Sequence, residues 1–234
     1  MYLWGSDKGF FFKITYSEEA RRLHIYNYGC NLKCTWCYYR LKPPLYDKKL
    51  DINDIIRVLR EYKSKADRVN ILGGEPTINP NLRDVVENAK KIDYKVRLIS
   101  NGSNIPPKGI DEANVSIKLY SDDLSIKYCG IPASIILDNV RKMYEMGIQL
   151  YISTIYIPEF NFNDIIEISK FISSLNKDIP FHIIGYIPVP NAPWRKPTLR
   201  EVEELAFKVK RYLRKVSWSC KSANEVRYSS IRVA

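Results

Sequence analysis

Three cysteines fall within eight residues, in the run Cys30-Asn31-Leu32-Lys33-Cys34-Thr35-Trp36-Cys37. This C-x3-C-x2-C spacing lets three thiolates converge on one metal centre if the loop wraps around it. Soft thiolate ligands select iron–sulfur clusters or zinc. A cubane cluster has four irons, so a loop offering three ligands leaves one iron open, and an open iron can chelate a small molecule through amino and carboxylate groups. The same spacing also suits a structural zinc site with His24 or His182 as fourth ligand, or simply buried thiols. Cys129 and Cys220 stand alone in the sequence, supply no second cluster and read as buried thiols.

Other residues of chemical interest follow apolar runs. Gly73-Gly74-Glu75-Pro76 comes after Val69 to Leu72, and a glycine pair lets backbone approach a ligand closely, or simply turns the chain. Ser100-Asn101-Gly102 closes the run from Lys95 and contains a turn dipeptide. Lys118 alternates with Val115, Ile117 and Leu119. Facing inward it needs a partner such as a bound carboxylate; facing outward it is an ordinary solvated lysine. His182 is one of two histidines and suits a site or a satisfied core position equally.

The elements that must position these residues repeat one pattern. After an apolar entry segment, Phe10 to Tyr16, strands are expected at Leu23 to Asn27, Val69 to Leu72, Lys95 to Ser100, Val115 to Leu119, Gln149 to Ile157 and Phe181 to Ile187. Helices are expected from Asp51 (Ile52, Ile55, Ile56, Leu59), from Pro80 (Leu82, Val85, Val86, Ala89), over Ile135 to Met146, and from Asn163 (Ile165, Ile166, Ile168, Phe171, Ile172, Leu175). Thr198 and Glu201 form a capping box for a last helix, 198 to 215, and Val226 to Val233 alternates like an edge strand. Strands mostly followed by helices imply an α/β fold, an incomplete (β/α)6 TIM-like barrel with a parallel sheet and helices outside. The chemistry is then expected at the C-terminal strand ends, where the cysteines, Gly-Gly-Glu-Pro and Ser-Asn-Gly all fall.

With 234 residues, 45% of them hydrophobic and 27% charged, disorder is excluded. One domain is expected over 1–234, with a core of about 20–200 and a basic C-terminal helix and edge strand over 198–234. No run of about 18 apolar residues is present to span a bilayer, and charged and turn residues occupy the place of a signal peptide. A cytoplasmic protein with reduced thiols, and no membrane partner, is the expectation. The net charge is +11, of which residues 195–234 contribute +7 through eleven Lys or Arg against four Glu. Such a stretch could meet nucleic acid, an acidic protein or a phosphorylated substrate, or be a solvated helix face.

The cysteine loop, with Trp36 just before its third cysteine, resembles the signature of the radical S-adenosylmethionine superfamily, and Gly73-Gly74-Glu75-Pro76 resembles that family's second motif. The resemblance covers roughly residues 20 to 200. It is closest to the pyruvate formate-lyase activating enzyme group at Ser100-Asn101-Gly102, Ser116-Ile117-Lys118 and the stretch from Ile157-Pro158-Glu159 to Pro190. It implies two cofactors, a [4Fe–4S] cluster on Cys30, Cys34 and Cys37, and S-adenosylmethionine on its open iron. It further implies that Gly73, Gly74, Glu75 and Pro76 meet the methionine end, that Trp36 meets the adenine through its backbone, and that Ser100, Asn101, Lys118 and His182 face the ribose and carboxylate. Where the activating enzymes carry an acidic residue two before the lysine, this chain has Ser116.

The reaction so implied is reductive cleavage to methionine and a 5′-deoxyadenosyl radical that takes hydrogen from a substrate, which could be a small molecule, a protein or RNA. The electron would come from a flavodoxin- or ferredoxin-like one-electron donor. An activase-like role leads, and an RNA- or nucleoside-modifying role is the alternative within the family. A deazaguanine-forming relative would carry a threonine where Tyr38 stands. A non-enzymatic zinc module is the alternative of another class, and iron and zinc content separates it from the others.

Overall fold

The computed structural model describes residues 4–225 and 229–234. The chain enters through β1 (Phe10–Ser17) and doubles back, antiparallel, as β2 (Arg22–Tyr28). From β2 the sheet grows by parallel addition: β3 (Arg68–Leu72), β4 (Lys95–Ser100), β5 (Glu112–Ser116), β6 (Gln149–Tyr156), β7 (Phe181–Gly185) and β8 (Val216–Ser219). The short β9 (Ile231–Arg232) lies antiparallel on the far side of β1. The order β8-β7-β6-β5-β4-β3-β2-β1-β9 leaves the sheet unclosed, an incomplete TIM-like barrel.

The strands alternate because one face is buried under helices. On β4, Val96 and Leu98 are fully buried, whereas the intervening Arg97 is only partly so; β7 repeats this with Phe181 and Ile183 about His182. The buried face meets apolar stripes from α1 (Ile52–Glu61), α2 (Leu82–Lys91), α4 (Ala133–Glu145), α5 (Phe162–Leu175) and α6 (Leu199–Val209). Ile55, Val85, Ile136, Ile168 and Val202 all reach 0–1% exposure there, each burial favouring the fold by about 1.5–3 kcal/mol. At the N-terminal strand ends, Glu112 takes Arg68 at 3.6 Å and Arg97 at 3.8 Å, with Lys95 also paired to it. This buried carboxylate ties β3, β4 and β5 together at the opposite end from the cysteine loop.

Several expectations are refined. The alternation over Val115 to Leu119 overshoots its strand: β5 begins at Glu112 and ends at Ser116, and Ile117 and Leu119 are buried beyond the ladder. A short helix, α3 (Asp122–Cys129), follows β5 where none was expected. The helix capped by Thr198 has the expected box, with Glu201 N donating to Thr198 Oγ1 at 3.2 Å and Thr198 N to Glu201 Oε2 at 2.7 Å. It stops at Val209 rather than running to 215, because the chain must turn, with Arg214 N bonded to Lys177 O, to lay down β8. Of the expected edge strand, Ile231 and Arg232 pair with β1, while positions 226–228 lie outside the described residues.

Candidate active site

The cysteine loop leaves β2 and is fastened from outside. Lys33 N donates to Cys129 O at 2.8 Å and Thr35 N to Tyr128 O at 3.1 Å, so the loop satisfies last-turn carbonyls of α3 that a helix end otherwise leaves unpaired. Gly130, at φ 94°, caps that helix and lets it end there. On the other side Ser6 N donates to Cys30 O at 3.1 Å and Trp4 bridges to Cys30. Leu32 and Trp36 anchor the loop by burial, Trp36 packing edge-on to Phe160 and Trp194 at centroid distances of 5.6 and 5.7 Å.

The three sulfurs have different surroundings. Burial pushes the Cys30 thiol up to about 12, with the nearby Glu75 charge acting the same way. Cys34 is raised first by its hydrogen bond with the Cys129 thiol and then by burial. Burial raises Cys37, while the Trp4 side chain, hydrogen-bonded to it, pulls back. Among the described residues no three His, Cys, Asp or Glu side chains stand close enough together to hold a metal ion. The loop thus brings the cysteines to one place, but the Cys34 thiol faces Cys129.

The second motif sits against the first. Gly73 has φ +83°, and a Cβ there would stand 2.9 Å from Asn27 O, so β2 and the Gly-Gly turn touch backbone to backbone. We expect Gly73→Ala to cost about 1–2 kcal/mol for the left-handed backbone alone, and more for the contact, read as a lowered midpoint in urea. Glu75 N donates to Gly29 O at 2.8 Å. The Glu75 side chain is wholly buried; Oε1 accepts from Thr77 N (3.0 Å), Thr77 Oγ1 (2.6 Å) and Ser100 Oγ (2.9 Å), and Oε2 from Asn101 N (2.6 Å). Burial raises this carboxyl's pKa, and those donors oppose the rise. Pro76 is buried and opens the short turn Pro76–Ile78.

Cys30, Gly73, Gly74, Glu75, Pro76, Ser100 and Asn101 therefore form one connected group. Lys118 lies just past the end of β5, with Nζ donating to Ser116 Oγ at 2.6 Å, and its charge acts on Cys34 and Cys37. His182 is held differently, by Ser217 Oγ at 2.8 Å and Ser219 Oγ at 3.0 Å on β8. Both ring nitrogens are taken up by that strand, and burial lowers its pKa. Between the loop and β6 to β8 lies a cavity of about 330 Å³, lined by Trp36, Tyr38, Ile155, Ile184, Tyr186 and Ser219. Trp36 Nε1 is buried there with no hydrogen-bond partner.

Sequence reasoning missed the supporting residues. Asn27 donates to Gly29 O at 3.2 Å and to Glu75 O at 3.0 Å, and accepts from Asn79 Nδ2 at 2.9 Å. Cys129 and Trp4 reach the cysteines from distant parts of the chain. A buried Asn inside an apolar strand was the one available signal.

The donor set fits an iron–sulfur cluster. Three soft thiolate donors on one loop would leave a cubane one ligand short. The absence of a Cβ at Gly73 lets the glycine turn lie directly on the backbone of Asn27, at the end of the strand that leads into the cysteine loop.

Comparison with known proteins agrees. The sequence profile of the Radical SAM superfamily matches residues 25–172. A protein of Methanocaldococcus jannaschii named as a glycyl-radical enzyme activating enzyme is 28% identical over 221 residues, covering 88% of this chain and 84% of its own length. GTP 3',8-cyclase of Clostridium perfringens is 23% identical over 198 residues, covering 79% of this chain and 61% of the cyclase. The structure of SuiB from Streptococcus suis bound to S-adenosylmethionine shares the fold, with a TM-score of 0.63 at 19% identity over 81% of this chain and 45% of that one.

Proposed function

The chain belongs to the radical SAM superfamily, and from that premise we propose that Cys30, Cys34 and Cys37 hold a [4Fe–4S] cluster whose open iron takes S-adenosylmethionine. The family's cofactors are that cluster and S-adenosylmethionine, and the protein is an enzyme. The observation that carries the site assignment is the hydrogen-bonded connection from Glu75 through Asn101 to Cys30, which joins the two motifs. Held by Cys30, Cys34 and Cys37, the cluster would supply one-electron reduction of S-adenosylmethionine, the chemistry that would release methionine and a radical able to take hydrogen from substrate.

The chain's residues bind, orient and exclude. Gly73 and Gly74 offer bare backbone to the methionine end, and Pro76 stiffens the turn behind them. Glu75 and Ser100 act by holding the loops, since the hydrogen-bonding of each is spent on its neighbours. Lys118 rests on Ser116, an uncharged partner, and remains free in charge to meet a carboxylate. Trp36, Ile155, Ile184 and Tyr186 give the cavity apolar walls that keep water from a radical. His182 acts by tying β7 to Ser217 and Ser219 of β8, and residues 1–234 act as a single catalytic domain.

An activase-like reaction is the leading reading for substrate, supported by the Methanocaldococcus relative, with a flavodoxin- or ferredoxin-like electron donor. RNA modification draws less support, because the basic stretch is partly neutralised in place. Arg195 pairs with Glu159 and Glu201, Arg200 with Glu204, Arg214 with Asp178, and Arg232 with Asp47.

The test is anaerobic. Iron and sulfide are assayed, and the electron paramagnetic resonance spectrum of reduced protein is recorded with and without S-adenosylmethionine. About four irons per chain, a spectrum that changes with the cofactor, and 5′-deoxyadenosine formed under reduction are expected. Stoichiometric zinc without iron, or a cluster blind to S-adenosylmethionine, would overturn the proposal.

A further inference from the structure

The side chain of Asn101 has a fixed orientation. Its Oδ1 accepts from Ser103 N at 2.8 Å, a backbone donor that can face only an oxygen. The amide nitrogen is thereby turned the other way, 3.0 Å from Asn31 Oδ1 and 3.7 Å from Cys30 Sγ. The backbone is fixed as well, because Asn101 N donates to the buried Glu75 carboxylate. Asn31 in turn donates to Ser103 Oγ at 2.8 Å, closing a ring of side chains between the cysteine loop and the end of β4. The amide's second N–H dipole is left aimed at a cysteine sulfur, beside the bond that its nitrogen makes to Asn31.

We propose that Asn101 is a positioning residue that sets the reduction potential of the cluster on Cys30, by donating a hydrogen bond to that sulfur from a geometry locked by Glu75 and Ser103. The inference rests on the cluster assignment above. Adding one electron to the cluster increases the negative charge shared with its cysteine sulfurs. A donor already aimed at one sulfur stabilises the reduced form more than the oxidised form and raises the potential. An electron carrier of the flavodoxin or ferredoxin class can then reduce the cluster at a less extreme potential than it could without Asn101.

The experiment is a redox titration of the reduced cluster signal by electron paramagnetic resonance in the parent, Asn101→Asp and Asn101→Ser proteins. Asn101→Asp keeps the acceptor for Ser103 and the backbone bond to Glu75, removes the donor and adds negative charge near the sulfur. Its midpoint is expected to fall, with about a tenfold loss in the ratio of reduced to oxidised cluster at the parent's midpoint, or about 59 mV for one electron. Asn101→Ser is neutral and too short to reach the sulfur, so it should move the same way by less.

Asn31→Ala, which leaves the Asn101 amide to the sulfur alone, should titrate at or above the parent's midpoint. Asn101 variants with the parent's iron content and its spectral response to S-adenosylmethionine but an unchanged midpoint would overturn the inference. So would failure of both variants to load iron, which assigns Asn101 to the loop's architecture, or an equal fall in Asn31→Ala. Absence of a cluster in the parent would sink the underlying assignment instead.

Discussion

Replacing Cys34 with alanine is expected to abolish the cluster, leaving anaerobically reconstituted protein well short of about four irons per chain and 5′-deoxyadenosine at background. The thiol sits on a loop pinned to α3 at Lys33 and Thr35, so the loop should keep its course without it. The substitution then tests ligation rather than folding. Cys129→Ala is the matched control, since Cys129 is fully buried and hydrogen-bonds the same Cys34 thiol. It should retain the parent's iron and its response to S-adenosylmethionine. Iron lost from Cys129→Ala but kept by Cys34→Ala would exchange their roles and break the reading of the cysteine motif. Circular dichroism on both variants separates loss of metal from loss of fold.

The largest effect on stability is expected at Glu75. Its carboxylate is inaccessible and accepts from Thr77 N, Thr77 Oγ1, Ser100 Oγ and Asn101 N. Leucine would fill the space and leave those donors buried without an acceptor, each unmet group costing about 1–3 kcal/mol before relaxation. We expect Glu75→Leu to lose about 3–5 kcal/mol, comparable to stripping one partner from a buried ion pair and a large share of an ordinary domain's stability. Glu75→Gln keeps an acceptor but turns an NH2 towards N–H groups, and should lose roughly half as much. Urea unfolding followed by circular dichroism measures both, and a midpoint for Glu75→Leu within error of the parent would refute the structural role.

Local patterns in the sequence revealed much of this arrangement. The helical stripes of α1, α2, α4 and α5, the capping box at Thr198, and the placing of both motifs beyond strand ends follow from side-chain periodicity and turn chemistry within a few residues. Contacts between residues far apart in sequence were hidden. Nothing near Cys129 marks it as the neighbour of Cys34, and nothing near Trp4 points to Cys37. The motif places Glu75 towards a ligand; the sheet order, which sets β3 beside β4, adds the hydrogen bonds from Ser100 and Asn101 that the sequence does not reveal. The reach of β5 was misread because burial of Ile117 and Leu119 continues the alternation after the ladder has stopped.

The clasp between the cysteine loop and α3 also bears on how the protein is made. The loop emerges from the ribosome well ahead of Tyr128 and Cys129, the residues whose carbonyls fasten it. At about 10 residues per second the interval is roughly ten seconds. During that time the loop lacks its α3 fastening, and only the upstream contacts of Ser6 and Trp4 with Cys30 are available to hold it. A nascent chain stopped before α3 is therefore expected to hold less iron than one released after it, as iron analysis of the two would show.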